Sequence, residues 1–168
     1  MTPTSTDTPL VPADVSPLDE PPQRFARRPF YDETVTLLRS VRDHDYDTLA
    51  ALCDDDFGIM DVDPNGNAVP VRNRLEWERW FHELFGTLQT MGAKTDSEIL
   101  DYHAVASDEL GYSVLEFRQF LRIHDIVATF DCIATVVWKW TPAGWREARW
   151  HGSVVSSDVP PELHAVAG

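Results

Sequence analysis

Residues 126–140, IVATFDCIATVVWKW, alternate in a way that only an extended chain explains. Phe130, Cys132, Ala134, Val136, Trp138 and Trp140 fall on one side of a strand, and Thr129, Asp131, Ile133, Thr135, Val137 and Lys139 on the other. The same two-residue period runs through 94–107, 110–123 and 144–156. The breaks between them, Asp108-Glu109, His124-Asp125 and Pro142-Ala143-Gly144, are short enough for hairpins. Four long antiparallel strands are therefore expected. In the last of them Ala148, Trp150, Gly152 and Val154 alternate with Glu147, Arg149, His151 and Ser153.

Upstream of Gly92 the period changes. Leu75, Trp77, Trp80, Phe81, Leu84, Phe85 and Leu88 recur at three-to-four spacing and predict a helix over 72–91 that stops at Gly92. Phe30, Val35, Leu37, Leu38 and Val41 predict an earlier helix over 30–41, and a short one carrying Leu49, Ala50 and Leu52 follows, capped by Asp45 or Asp47. A short strand over 57–63 then enters the turn Pro64-Asn65-Gly66. Helices followed by a meander make an α+β fold: a curved antiparallel sheet with N-terminal helices packed on its concave face. The apolar face mixes small residues (Ala134, Ala148, Gly152) with large ones (Phe130, Trp138, Trp150), a pattern that fits either a cone-shaped cavity beneath the helices or aromatics that simply fill the core. The other face is mixed. It reads as solvated or as the contact of a homodimer packed through sheet backs, and the homodimer is the expectation.

The 168 residues suit one domain with tails. Residues 1–28 are rich in Pro, Thr, Ser and Asp and are expected to be a disordered tail, with the domain over 29–156 and a C-terminal tail or strap over 157–168. A net charge of −14 disfavours nucleic acid and anionic membrane surfaces as partners. No apolar run approaches the roughly 20 residues of a membrane span, and the N-terminus lacks the basic and apolar regions of a secretion signal. Two cysteines make no disulfide framework, so a cytoplasmic location is expected. The six histidines show no paired spacing, and Asp61-Val62-Asp63-Pro64-Asn65-Gly66 lacks a calcium-loop glutamate because its twelfth position is Arg72. Neither a metal nor a cofactor is expected. No serine-hydrolase elbow or phosphate-binding glycine loop is present.

Two segments carry a resemblance. Residues 54–66, DDDFGIMDVDPNG, look like the strand and Asp-Pro turn of the nuclear transport factor 2-like superfamily. Residues 135–155, TVVWKWTPAGWREARWHGSVV, are similar to the last hairpin of its SnoaL-like and kinase-association members, with Trp145, His151 and Ser153 in place and Arg149 where a histidine stands. The resemblance covers roughly 30–156 and implies that fold, but it hosts enzymes, binding modules and oligomerisation domains alike.

By resemblance to ketosteroid isomerase, Asp63 stands where that enzyme has its general base; by its own chemistry it is also a turn former ahead of Pro64. Asp61, on the same strand face, is a second candidate catalytic carboxylate that could split acid and base roles with it, although exposed acidic residues at a strand end are the commoner explanation of such a pair. The oxyanion-hole positions fall on Leu37 and Val136, which cannot donate hydrogen bonds and so argue against steroid-type isomerisation. The candidate substrate-binding residues are Trp77, Trp80, Phe81, Tyr102, Glu116, Arg118, Phe130, Trp138 and Trp150. Glu116 and Arg118 belong to the cavity only if the face Tyr112, Val114, Glu116, Arg118, Phe120 points inward rather than Ser113, Leu115, Phe117, Gln119, Leu121, and alternation leaves both open. The expected ligand is a small hydrophobic molecule. The two functions in view are a cofactor-free acid–base enzyme (isomerase, cyclase or dehydratase) and a non-catalytic oligomerisation or ligand-binding module.

Overall fold

The computed structural model describes residues 15–62 and 67–164. Helices α1 (Tyr31–Asp43) and α2 (Tyr46–Leu52) lead into strand β1 (Cys53–Val62) and the short β2 (Ala68–Val71). Helix α3 (Arg74–Thr90) follows, then the meander β3 (Ala93–Ala106), β4 (Leu110–Ile123), β5 (Ile126–Thr141) and β6 (Gly144–Asp158), and a last turn of helix, α4 (Pro161–His164). The six strands form one sheet in the order β2-β1-β6-β5-β4-β3. All neighbours are antiparallel except β1 and β6, which run parallel. This is the expected α+β architecture, with the helices on one face of the sheet.

Local chemistry sets the helix ends. Asp45 caps α2 by accepting the Thr48 N–H at 3.2 Å. Asn73 caps α3 by accepting the Glu76 N–H at 2.9 Å, and the Glu76 carboxylate reaches back to the Arg72 N–H at 2.8 Å, so two orphan donors are satisfied reciprocally. Gly92, at φ +62°, turns the chain out of α3 into β3. The buried stripe of α3 is Trp77, Phe81, Phe85 and Leu88, which lays the helix across the sheet.

Packing on the domain extends upstream of Pro29. Residues 15–28, expected to be disordered, pack on the domain: Leu18 and Phe25 are buried in the main core. Arg39 donates to the Leu18 carbonyl, Arg24 to the Leu100 carbonyl at 3.0 Å and Arg28 to the Tyr102 carbonyl. Two large apolar side chains and the bonds of three arginines to carbonyls offset the ordering entropy that composition alone leaves uncompensated. At the other end, β6 runs on to Asp158, and Leu163 of α4 is buried beside Leu88 and Ala128.

The strand faces resolve the ambiguity of β4. Ser113, Leu115 and Phe117 are buried under the helices, and Glu116 is exposed on the far side. On β5 the expected inward face holds from Phe130 to Trp138, while Trp140 at the strand end is half exposed. Two bulges interrupt the pairing of β6 with β5, one between the pairs Val137↔Arg149 and Trp138↔Glu147, the other between Asp131↔Ser156 and Cys132↔Val154. The first turns Glu147 inward, against the simple alternation that places it with Arg149.

Phe30 closes the open end of the sheet. It sits at φ 61° as the residue before α1, stacks on Trp138 at 5.4 Å and meets the edge of Trp145 at 4.8 Å. Gly111 lies beneath its ring: a Cβ there would fall 2.4 Å from Phe30 Cζ and 2.7 Å from the Val105 carbonyl oxygen. Since the carbonyl cannot move without breaking the ladder, Gly111→Ala should destabilise the fold by about 1–3 kcal/mol, read from the urea midpoint at unchanged slope.

Candidate functional site

The helices do not close fully on the sheet. Between them lies a cavity of about 370 Å³, in the range of small-molecule sites. Helix α1 contributes Leu37 and Leu38, α3 contributes Trp77, Trp80 and Phe81, and the sheet contributes Phe57, Phe117, Phe130 and Trp150. The apolar lining follows from the α3 stripe meeting the inward faces of β4, β5 and β6.

Polar groups enter this wall at three places. On β1, Asp61 borders the cavity and accepts a hydrogen bond from the Trp150 indole N–H at 3.2 Å. That contact needs Gly152: a Cβ there would lie 2.8 Å from Asp61 Oδ1 and 2.9 Å from Trp150 Nε1. On β3 and β4, Thr95, Ser97 and Gln119 form a neutral polar strip. The Thr95 hydroxyl is buried without a hydrogen-bond partner, so this strip has capacity that a ligand or water can fill. On β6, Glu147 is wholly buried, and its Oε2 lies 3.6 Å from the Cys53 thiol, a weak donor.

Burial shapes the ionisation of this wall. It pushes the Glu147 carboxyl up to about 8, with the Cys53 contact pulling slightly the other way. It also raises the Cys53 thiol far above its ordinary value, and it raises Cys132 to about 11 with help from the nearby charges of Asp61 and Asp131. Both thiols stay protonated at neutral pH. Glu147 is registered with Cys53 at the start of β1, whereas Asp61 lies one residue past the pair Met60↔His151 near the end of that strand. The two carboxyls therefore sit at separate ends of the cavity.

The expected site residues divide into groups. Trp77, Trp80, Phe81, Phe130, Trp150 and Asp61 line the cavity. Tyr102 and Trp138 face inward but are locked in the packing beside it: the Tyr102 hydroxyl donates to the Pro29 carbonyl at 2.6 Å, and the Trp138 indole to Ser113 Oγ at 2.9 Å. Glu116 and Arg118 require correction. They lie on the outer face, because Leu115 and Phe117 take the inner one, and Arg118 pairs there with Asp131 at 2.7 Å. Asp63 lies outside the described residues. Glu147 was missed by the alternation rule, since nothing in the composition of 144–150 marks the bulge that turns it inward.

The site is thus a cavity between α3 and the concave face of a six-stranded sheet, with a carboxylate at the end of β1. Residues 34–157 match the SnoaL-like domain family. The chain belongs to that family. No curated protein sequence matches it. Among solved structures, this SnoaL-like protein is similar to a type 2 hexachlorocyclohexane dehydrochlorinase (TM-score 0.62, 11% identity, 77% of this chain and 90% of that one). It is also similar to a nuclear transport factor 2-like protein with a cystatin-like fold from Novosphingobium aromaticivorans (0.59, 14%, 82% and 88%). A third is the association domain of calcium/calmodulin-dependent protein kinase II from C. elegans (0.55, 17%, 73% and 90%). At these identities the likeness establishes the shared fold. Among the described residues no helix is long and apolar enough to cross a membrane, and no cluster of metal-ligating side chains is present.

The raised Glu147 carboxyl fixes a sign for stability against pH. The folded protein holds this proton up to about pH 8, whereas the unfolded chain releases it near 4.5, so the folded state binds more protons between those values. The contribution is fully present below pH 4.5 and is lost as pH rises through 8. Unfolding free energy should therefore carry a falling component of up to roughly 1.4 kcal/mol per pH unit in that window. Glu147→Gln should flatten it, measured by urea titrations at pH 5, 6, 7 and 8.

Proposed function

We propose that this SnoaL-like domain binds a small, mostly apolar molecule in the cavity and that Asp61 acts on it as a cofactor-free general base. The observation that carries the reading is the Asp61 carboxylate set in an aromatic wall and oriented by the Trp150 indole N–H. Apolar walls shield the ligand from water, and an oriented carboxylate takes a proton from carbon in one fixed direction. Removal of such a proton is the shared first event of isomerisation, cyclisation and elimination. Dehydrochlorination, named for one structural neighbour, is an elimination of this kind. Asp63 is the second carboxylate of the proposal, as the resemblance to ketosteroid isomerase implies.

The test starts from protein purified from its own host and examined by native mass spectrometry. A bound mass of a few hundred daltons is expected, and in D2O the wild type should exchange the acidic C–H of that ligand. Asp61→Asn should keep the ligand and slow exchange by about 10²–10⁴-fold. Exchange lost in Asp63→Asn but kept in Asp61→Asn would move the base to Asp63. A protein that carries no ligand and does not take up the neutral probe N-phenyl-1-naphthylamine would overturn the small-molecule reading.

A second reading, homo-oligomerisation through the back of the sheet, is favoured by the outer face itself. Val105, Leu110 and Tyr112 are about half exposed there, at one end of β3 and β4. The two readings are compatible, since the cavity and the outer face lie on opposite sides of the sheet. Light scattering at micromolar concentration should give a dimer mass for the wild type and a monomer mass for Tyr112→Glu.

A further inference from the structure

Proton abstraction by Asp61 leaves the far end of the cavity without a role. There Glu147 is turned inward by the β6 bulge, buried at the cavity wall, and among the described residues it meets the Cys53 thiol at 3.6 Å. A carboxyl has several lone-pair sites and a thiol is a weak donor to one of them, so a ligand entering the cavity can engage this carboxyl more strongly than Cys53 does.

The charge pattern of the cavity says which ligand. Among its described lining residues Asp61 and Glu147 are acidic, and none is Lys, Arg or His. Two cations, Arg74 and Arg146, act on Cys53, and Lys139 beside them is paired with Asp54 at 3.3 Å. The Arg74 guanidinium has its own partners: it pairs with Glu78 at 3.4 Å, donates to the Ala50 carbonyl at 3.3 Å and the Cys53 carbonyl at 3.5 Å, and lies 4.6 Å from the Trp77 ring centroid. Neither arginine forms an ion pair with Glu147. Tyr46 of α2 also faces Cys53, and it is a neutral phenol at neutral pH. An anionic ligand would meet two carboxyls and no counter-charge. A cationic one would meet a carboxyl at its nitrogen and the half-buried aromatic side chains of the wall, Trp80 and Trp150, along its body.

We propose that Glu147 anchors a basic nitrogen, and that the molecule this cavity takes is an organic amine with a compact apolar body. The proposal rests on the reading of the cavity as a small-molecule site and names the ligand class for it. It also has a proton signature. In the empty cavity burial keeps Glu147 in its neutral acid form at pH 7, so seating an ammonium group displaces that proton to solvent, whereas a neutral ligand displaces none.

Isothermal titration of the full chain with 2-naphthylmethylamine, 2-naphthylmethanol and 2-naphthoate, in phosphate and in Tris at pH 7, tests it. The amine should bind at least about tenfold more tightly than the alcohol, with release of close to one proton, and the naphthoate should not bind. Glu147→Gln should bring amine and alcohol to similar affinity and abolish the proton release. Alcohol binding as tight as the amine's, or an amine preference unchanged in Glu147→Gln, would overturn the amine assignment while leaving the small-molecule site standing. Binding of none of the three would remove both. Should Glu147→Gln not fold, the wild-type preference decides: amine binding no tighter than the alcohol's anywhere between pH 5 and 8 rejects Glu147 as the anchor.

Discussion

Between Val137, which faces Arg149, and Trp138, which faces Glu147, strand β6 carries one residue more than β5. Strict alternation would place Glu147 on the outer face beside Arg149. The extra residue, Ala148, breaks that alternation, so Trp138 stays in the core while Glu147 turns in beside Cys53. A bulge costs ladder hydrogen bonds, and a buried carboxyl costs more, because desolvation acts on it without a strong donor in return. The rest of the domain has to supply the stability that this arrangement consumes.

It does so around the cavity rather than inside it. Trp77 is fully buried between Phe57, Phe81 and Tyr46, and Tyr102 is held by Pro29, Tyr31 and Phe25. The segment before α1 adds Leu18 and Phe25 to the same core. Arginines at 24 and 28 tie that segment to carbonyls on β3, close to the irregularity between Ile99 and Asp101, where the ladder leaves backbone groups available. A continuous aromatic frame therefore surrounds a space that no side chain fills. Holding that space open forfeits dispersion contacts, which the frame makes up at its perimeter.

What the sequence reveals tracks how local its causes are. The helix at 74–90 is legible because its stripe, its Asn73 cap and its Gly92 stop all lie within the segment. The inner face of β5 is legible because its alternation is unbroken from Phe130 to Trp138. The face of β4 is not, since Glu116 and Arg118 alternate with residues that are equally plausible on either side. The choice is made by what lies across the strand: Asp131 on β5 offers Arg118 an ion pair on the outer face, while Ala134 and Cys132 offer Leu115 and Phe117 an apolar floor. The order of residues 15–28 is hidden for the same reason, because the partners of Leu18 and Phe25 are distant in sequence. Glu147 is the extreme case, as its placement depends on a register shift that no residue type announces.

Asp61 and Glu147 show how one cavity can hold two carboxyls with different work to do. Asp61 meets an indole N–H aimed at its oxygen, a donor that fixes the direction in which the carboxylate can take a proton. Glu147 meets a thiol and apolar walls, surroundings in which the neutral acid is favoured until a cation arrives. Both environments are written on β6. Ala148 is the residue too many that brings Glu147 in, and Gly152 is the missing side chain that lets Asp61 and Trp150 touch. Along this strand backbone irregularity, rather than side-chain identity, decides where chemistry is possible. A family that keeps the sheet but shifts this bulge by one residue would keep the cavity and lose the carboxyl at its inner end.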